Sequence, residues 1–261
     1  MTFTLETLIF SLLIGATVGV SAGYLGSLMV LKKMALVGDA MSHVALPGLA
    51  LGLLFHFPVF LGAFAVLFVS AVVIWYLGRV TRLSFESIVG AAFTLALAIG
   101  ILMISDKLEL LESLFGDITN VTILDTIAAV VISITAILLT KMIYKKLVLG
   151  MISEELAVSK GINVSQTDLL YLLLISLVVA AGIKIVGSLL VGFLVAVPAA
   201  SAKNVSSNLL KYSVLSSILG AVSASSGVLL SNYLNVQSGP MVVISGITVF
   251  AVTVALRWKT K

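Results

Sequence analysis

The chain has 261 residues, of which 61% are hydrophobic and only 10% are charged, and its formal net charge at pH 7 is +4. Soluble domains are about 45–50% apolar and about 25% charged, so this chain has too little polar surface to cover a water-soluble globule. Composition excludes a soluble enzyme, a disordered chain, a coiled coil and collagen, and it predicts an integral membrane protein. The absence of cysteine excludes disulfides and thiolate metal sites. Cytoplasmic Lys and Arg explain the positive charge better than nucleic-acid binding does.

Apolar segments of transmembrane length follow one another through the first half of the chain. A helix needs about 20 apolar residues to cross the hydrocarbon core of a bilayer. Five segments meet this requirement, at 8–31, 34–54, 58–77, 87–104 and 124–144. The acidic stretch 105–125 interrupts them, and it is either a solvated loop or a surface that attracts cations or a docking protein.

The second half begins with a polar interruption at 147–167 and continues with the apolar segment 168–202. This segment is too long for one upright span. Because Gly182 and Lys184 lie near its middle, we expect two short spans with a tight turn between them. The last two spans are predicted at 212–233 and 241–256. The chain is thus predicted to be a single all-α polytopic membrane domain over 1–261, with about nine transmembrane helices and eight as the other possible count.

The distribution of basic residues predicts the orientation of the chain in the membrane. If the amino terminus lies outside, the cytoplasmic loops hold most of the 15 basic residues, including the pairs Lys32-Lys33 and Lys145-Lys146, whereas Lys107 and Lys184 lie outside. The positive-inside rule favours this orientation. An odd number of spans then places the carboxyl terminus in the cytoplasm.

Glycines at four-residue spacing predict close helix packing. Gly15, Gly19 and Gly23 share one face of the first span, and Gly48 and Gly52 share one face of the second. Small residues in such stripes let helix backbones approach each other in lipid. We therefore expect a packing role for both stripes.

Asp39 and His43 are the most informative polar pair, because they lie one helical turn apart within the second predicted span. An ionisable residue at this depth costs several kcal/mol unless it meets a partner, water or an ion. A carboxylate and an imidazole are suitable ligands for Zn²⁺ or Mn²⁺. The alternative from spacing alone is a structural hydrogen bond between the two side chains. Pro47 and Gly48, one turn later, are expected to loosen the helix and free a carbonyl.

Residues 153–161 are typical of a short capped helix in a cytoplasmic loop. Ser153 is a suitable N-cap, Glu154 and Glu155 suit the positive end of the helix, and Gly161 is a suitable terminator. Such a surface helix is either inert or a contact site for a partner protein.

The run 38–48, Gly-Asp-Ala-Met-Ser-His-Val-Ala-Leu-Pro-Gly, resembles the signature of permease subunits of metal-ion ABC importers. This family, ABC-3, takes up zinc, manganese and sometimes iron. Segments 114–117, 153–161 and 197–200 follow in the order seen in the family, and Gly239-Pro240 precedes the last span. The resemblance covers nearly the whole chain, and the motifs are highly specific together.

The resemblance implies a fold like that of the vitamin B12 and siderophore importers, the type II ABC importers, with two permeases around a central pathway. It implies that Asp39 and His43 form a transient metal site and that 153–161 is the coupling helix that docks on a cytoplasmic ATPase dimer. It further implies a separate extracytoplasmic metal-binding protein and a place in the plasma membrane of a prokaryote. The residues assigned to the coupling helix are Ser153, Glu154, Glu155, Ala157 and Gly161, and those assigned to the pathway or its packing are Pro47, Gly48 and Pro198.

The predicted function is therefore ATP-driven import of Zn²⁺ or Mn²⁺, with the metal as cargo and no permanently bound cofactor. The chain contains no G-x-x-x-x-G-K-[ST] phosphate loop, so a separate polypeptide must hydrolyse ATP. The alternative is an ion-coupled secondary transporter in which Asp39 and His43 relay protons. An intramembrane zinc enzyme is disfavoured, because no H-E-x-x-H motif is present.

Overall fold

The computed structural model describes residues 5–104, 114–116, 121–188 and 191–259. These residues form eleven α-helices and no strand. Their bounds are α1 Leu5–Leu31, α2 Ala35–Val44, α3 Leu46–Leu54, α4 Val59–Val80, α5 Phe85–Met103, α6 Ile123–Ile152, α7 Glu154–Ser159, α8 Val164–Val186, α9 Val191–Val205, α10 Leu209–Leu234 and α11 Ser238–Lys259.

Eight helical segments of the described chain are long and apolar enough to cross a membrane, with α2 and α3 together forming one of them. The ninth predicted span is α9, a shorter apolar helix of 15 residues. At 1.5 Å per residue it is about 22 Å long, less than the roughly 30 Å of a hydrocarbon core. The all-helical membrane fold is confirmed, and the count is eight full-length spans plus one short helix.

The predicted turn at Gly182 and Lys184 is wrong, because both residues lie inside α8. Gly182 allows α8 to pack closely on Val191 of α9, since a Cβ at this position would collide with the side chain of Val191. The helix ends instead at Gly187, whose φ of 82° lies in the left-handed region that glycine adopts without strain. Lys184 is thus in the last turn of α8.

The helix that contains the fifth predicted span, 124–144, is longer than the span, because α6 continues through Lys145 and Lys146 to Ile152. The two lysines are exposed on the helix surface. Long basic side chains lie along apolar surface while their charges reach water, and they are good helix formers, so they do not end a helix. The predicted polar interruption at 147–167 is consequently part of α6, the short helix α7 and the start of α8.

The glycine stripe of α1 lies against α10, as its spacing predicts. A Cβ on Gly19 would lie 2.5 Å from the backbone oxygen of Gly220, and a Cβ on Gly23 would collide with the backbone of Ser216. The Ser216 hydroxyl donates a 2.5 Å hydrogen bond to the Gly23 oxygen at this crossing. The second stripe acts likewise, since Gly48 of α3 and Gly62 of α4 leave no room for a Cβ on either side.

Polar contacts join neighbouring helices at both ends of the helix bundle. At one end, Lys32 after α1 pairs with Asp168 in α8, and Trp75 of α4 donates a hydrogen bond to the Ser165 oxygen. We call the end that contains these four residues the basic end. At the opposite end, Lys184 pairs with Asp125, and the Ser238 hydroxyl of α11 donates to the Ile185 oxygen of α8. Since Arg257 of α11 reaches Asn204 at the end of α9, the last helix terminates at the basic end, whereas α1 begins at the opposite one.

Candidate functional site

The candidate site lies where the second span is interrupted. The helix stops at Val44 and resumes at Leu46, so Ala45 separates α2 from α3. Pro47 explains the break, because it has no N–H to donate to the carbonyl of His43. That carbonyl accepts instead from the N–H of Ala45. The expected loosening at Pro47 is therefore observed, whereas the expected free carbonyl is not.

Asp39 lies on α2 with an exposed side chain, facing away from the interior of the chain. Its backbone is held on two sides. The Ser42 hydroxyl donates to the Asp39 oxygen at 2.6 Å. Gly192 of α9 lies so close that a Cβ there would collide with the Asp39 Cα. The close α2–α9 contact thus positions the carboxylate at the surface of a single chain.

His43 lies one turn further along α2 and is only 8% exposed. Its Nδ1 atom is buried and has no hydrogen-bond partner among the described residues. The imidazole packs against Phe93 of α5 with the ring centroids 4.9 Å apart and the planes at 75°, an edge-to-face contact. An unpaired buried nitrogen costs about 1–3 kcal/mol, so this ring is held in place by packing and keeps an unused coordination or hydrogen-bonding position.

Asp39 and His43 share a helix and lie one turn apart, but no hydrogen bond joins their side chains within the described part of the chain. The structural hydrogen bond considered from spacing alone is therefore not formed. Among described residues there is also no cluster of three or more His, Cys, Asp or Glu side chains. A single chain consequently presents two potential metal ligands, an exposed carboxylate oxygen and a buried imidazole nitrogen.

The exposed face of α5 lies beside this pair, because α5 packs on α2 through Phe93. This face carries a stripe of small residues next to the exposed Leu95 and Ile99, and a Cβ on Gly90 would meet nothing within 4 Å. The exposed small residues of α5 are Gly90, Ala91, Thr94 and Ala98. In lipid, such a stripe is suited to close packing of another helix.

The remaining predicted pathway residues are buried packing residues in this structure. Gly48 contacts Gly62, as described above, and Pro47 is buried in the first turn of α3. Pro198 is buried inside α9 and lies on neither α2 nor α5. The structure thus brings Asp39, His43 and Pro47 together along one interrupted span, and Pro198 lies on α9, the helix that packs on α2 through Gly192.

The predicted helix at 153–161 is present as α7, Glu154–Ser159. The Ser153 hydroxyl accepts from the Leu156 N–H at 3.1 Å, which is the predicted N-cap. Gly161 has a φ of 74°, and the Ile162 N–H donates to the Ala157 oxygen, which closes the helix as predicted. Ala157 is fully buried against the rest of the chain.

The outer face of α7 carries both charge and apolar surface. Glu154 and Glu155 are exposed. Ile152 is 74% exposed and Val158 60% exposed. Together with Ser153 and Ser159, these residues form one continuous and open patch of surface. A short helix fixed by one buried alanine and carrying such a face is suited to contact another protein.

Phe93 and Gly192 were missed by the sequence reasoning, although they hold His43 and Asp39. Each is distant from the pair in sequence and is an ordinary residue of an apolar helix, so spacing carries no signal for it.

Of the segment 114–117, Leu114–Gly116 packs against the end of α8, where Gly187 contacts Leu114. Asp117 and most of the acidic stretch 105–125 lie outside the described residues.

The chain is similar to known membrane transport proteins along nearly its whole length. A family model described as the ABC 3 transport family matches residues 4–257. The manganese transport system membrane protein MntC of Listeria monocytogenes is 32% identical over 243 residues, covering 92% of this chain and 87% of that protein. The high-affinity zinc uptake system membrane protein ZnuB of Buchnera aphidicola is 28% identical, and the match covers 95% of this chain and 97% of that protein. In the solved structure of PsaBC from Streptococcus pneumoniae in complex with Fab, one chain superimposes with a TM-score of 0.85 at 28% identity, covering 96% and 91%.

Proposed function

Since the chain belongs to the ABC 3 transport family, we propose that it is the membrane permease of an ATP-driven importer of a divalent transition metal, manganese or zinc. Of two relatives with similar sequence identity to this chain, one is named as a manganese transport protein and the other as a zinc uptake protein. Carboxylate and imidazole ligands suit both ions. The observation that carries the proposal is the buried Nδ1 of His43, unpaired and one turn from the exposed carboxylate of Asp39.

The metal ion passes Asp39 and His43 as a transient ligand pair. Asp39 attracts the dication electrostatically and replaces part of its water shell, and the unpaired nitrogen of His43 supplies a second ligand. Few ligands keep binding weak enough for release, which conduction requires. The packing of Phe93 against the imidazole keeps the ring in one orientation, so the ligand is pre-oriented before the ion arrives.

Two copies of the chain form the pathway between them. Asp39 lies on the surface of one chain beside the small-residue face of α5, where a second copy would bring its own Asp39 and His43 to the same conduit. This symmetric pairing doubles the ligand set without any further cluster within one chain. It also covers Gly90 and Thr94, which are exposed in a single chain.

ATP hydrolysis is supplied by a separate cytoplasmic ATPase dimer that contacts α7. The exposed Glu154 and Glu155 and the apolar Ile152 and Val158 form the docking face, and the buried Ala157 transmits movement to the membrane helices. This assignment places the basic end in the cytoplasm, the amino terminus outside, and the receptor surface for a metal-binding protein at the opposite end. The chain then acts as one permease domain in a bacterial plasma membrane.

The test is uptake of Mn²⁺ or Zn²⁺ into proteoliposomes that contain the permease with its ATPase. We expect metal accumulation that requires ATP and is unaffected when the pH gradient is abolished. Uptake that proceeds without nucleotide and follows the pH gradient would instead identify the ion-coupled secondary transporter, in which Asp39 and His43 relay protons.

A further inference from the structure

A second site lies between α4 and α6, away from Asp39 and His43. Both helices pack against α8, and α6 also packs on α1, but α4 and α6 have at most marginal contact with each other. The gap between them is a cavity of about 620 Å³ that reaches the buried side chains of Ile14 and Leu49. This volume falls within the range of about 300–1,000 Å³ that is typical of sites for small organic ligands.

The cavity exists because its walls are lined with alanine. Small side chains at facing positions leave space that Leu or Phe would fill, and dense packing is the rule elsewhere in protein interiors. The alanines are contributed by α4, α6 and α8 and are Ala63, Ala128, Ala129, Ala180 and Ala181. Ala128 is exposed at the α6 edge of the gap, so the apolar cavity opens on the surface that faces the bilayer.

The mouth of the cavity carries a pair of opposite charges. Lys184 in the last turn of α8 pairs with Asp125 in the first turn of α6, and both residues line the cavity. The side chains remain 41% and 30% exposed. Lys184 and Thr122 both donate hydrogen bonds to Oδ2 of Asp125. The other carboxylate oxygen of Asp125, Oδ1, has no partner among the described residues.

We propose that this cavity binds a phospholipid with a zwitterionic phosphoethanolamine head group and holds one of its acyl chains. Beyond the N–H given to Asp125, Lys184 has two N–H donors without a partner among the described residues, and these suit the lipid phosphate. Oδ1 of Asp125, which has no partner among the same residues, suits the lipid ammonium group. Charge complementarity thus selects a head group with one group of each sign, and the apolar walls select a hydrocarbon chain.

The depth of the cavity agrees with a lipid chain. Its lining on α6 runs from Thr122 before the helix to Ile132, a distance of about 15 Å at 1.5 Å per residue. The charged pair lies at the helix ends, where head groups are found, and the alanine-lined part lies below it in the hydrocarbon region. A free phosphate ion would meet Lys184 but would leave the apolar cavity unfilled. This inference is independent of the metal and of the ATPase.

The test is native mass spectrometry of the full chain, delipidated in detergent and titrated with phosphatidylethanolamine. We expect one tightly retained lipid per chain. Ala128→Phe should weaken its binding about tenfold or more, because exclusion of about two buried methylene groups is enough for that factor. The matched control is Ala65→Phe, since Ala65 is an exposed alanine of α4 that does not line the cavity.

Two further comparisons separate this site from general lipid solvation. Phosphatidylglycerol, which lacks the ammonium group, should bind more weakly to the native chain, and Asp125→Asn should abolish this preference because it removes the charge that pairs with the ammonium; thermal unfolding of the variant is monitored in parallel. Inorganic phosphate should not displace the lipid. Equal retention by Ala128→Phe and Ala65→Phe, equal binding of the two lipids, or displacement by phosphate would each overturn the proposal.

Discussion

An imidazole nitrogen buried without a hydrogen-bond partner is an unfavourable arrangement that a membrane helix keeps only under tight packing. In this chain Phe93 supplies that packing for His43, and Gly192 supplies it for the backbone of Asp39. The two side chains differ in environment, because Asp39 is exposed whereas His43 is buried, with 8% of its surface exposed. This difference favours sequential contacts with a passing ion over a mutual hydrogen bond.

At this scale we expect His43→Gln and Asp39→Asn to reduce ATP-dependent metal uptake by more than about tenfold, because even loss of an outer-shell partner costs 10–100-fold in metal affinity. The variants keep the size and polarity of the side chains, so membrane insertion and ATPase assembly should be unchanged. Uptake into proteoliposomes measures the effect. Matched controls are His56→Gln and Glu86→Gln, which alter exposed residues outside the site. Uptake by either site variant at the level of its control would refute the assignment.

At the scale of elements, the crossing of α1 and α10 depends on the absence of side chains on both helices. Gly19→Ala should lower the free energy of unfolding by about 1–3 kcal/mol, because the new Cβ would meet backbone that cannot rotate away. Gly78→Ala is the matched control, since its nearest neighbour would be an ordinary contact at 3.8 Å. Thermal or denaturant unfolding in detergent measures both. Equal stability of the two variants would contradict the assigned crossing.

The short helix α7 offers a second prediction for an element. Reversal of charge by Glu154→Lys with Glu155→Lys places positive charge at the positive end of the helix and on the proposed docking face. We expect ATP hydrolysis by the complex to continue while metal uptake falls. Simultaneous assays of phosphate release and uptake measure the coupling ratio, and Glu86→Lys serves as the control. An unchanged ratio would count against a docking role for α7.

Helix identity was predictable from sequence, but helix ends and neighbours were not in every case. Hydropathy located the apolar segments, because a bilayer requires about 20 apolar residues whatever the neighbouring helices are. It misplaced the α8–α9 turn, because a glycine needed for packing, Gly182, and a glycine needed for its φ, Gly187, look alike in sequence. It gives no end for helix α6 beyond the span, because exposed lysines interrupt hydropathy without interrupting a helix.

The candidate site was only half predictable for a related reason. The spacing of Asp39 and His43 puts them on one turn of one helix, which follows from helix geometry alone. Their contacts with Phe93 and Gly192 come from helices far away in sequence. The exposure of Asp39 and the burial of His43 are properties of that packing, so only the structure separates the two side chains.

In the molecule as a whole, α1 begins at one end of the helix bundle and α11 terminates at the other. The absence of native cysteine makes the orientation directly testable with single introduced thiols. Glu6→Cys should react with a membrane-impermeant maleimide in intact cells, and Trp258→Cys should react only after permeabilisation. Both native residues are exposed in the described chain. The reverse pattern of labelling would invert the proposed orientation and place α7 outside the cell.

The proposed pathway requires that a dication contacts the imidazole of His43 on its way through the membrane. The chain has only two histidines, so pulsed electron paramagnetic resonance of Mn²⁺ bound to the purified permease can assign a nitrogen ligand without ambiguity. We expect a ¹⁴N coupling that disappears in His43→Gln and persists in His56→Gln. A coupling that survives in His43→Gln, or bound Mn²⁺ with no nitrogen coupling in the native chain, would contradict it.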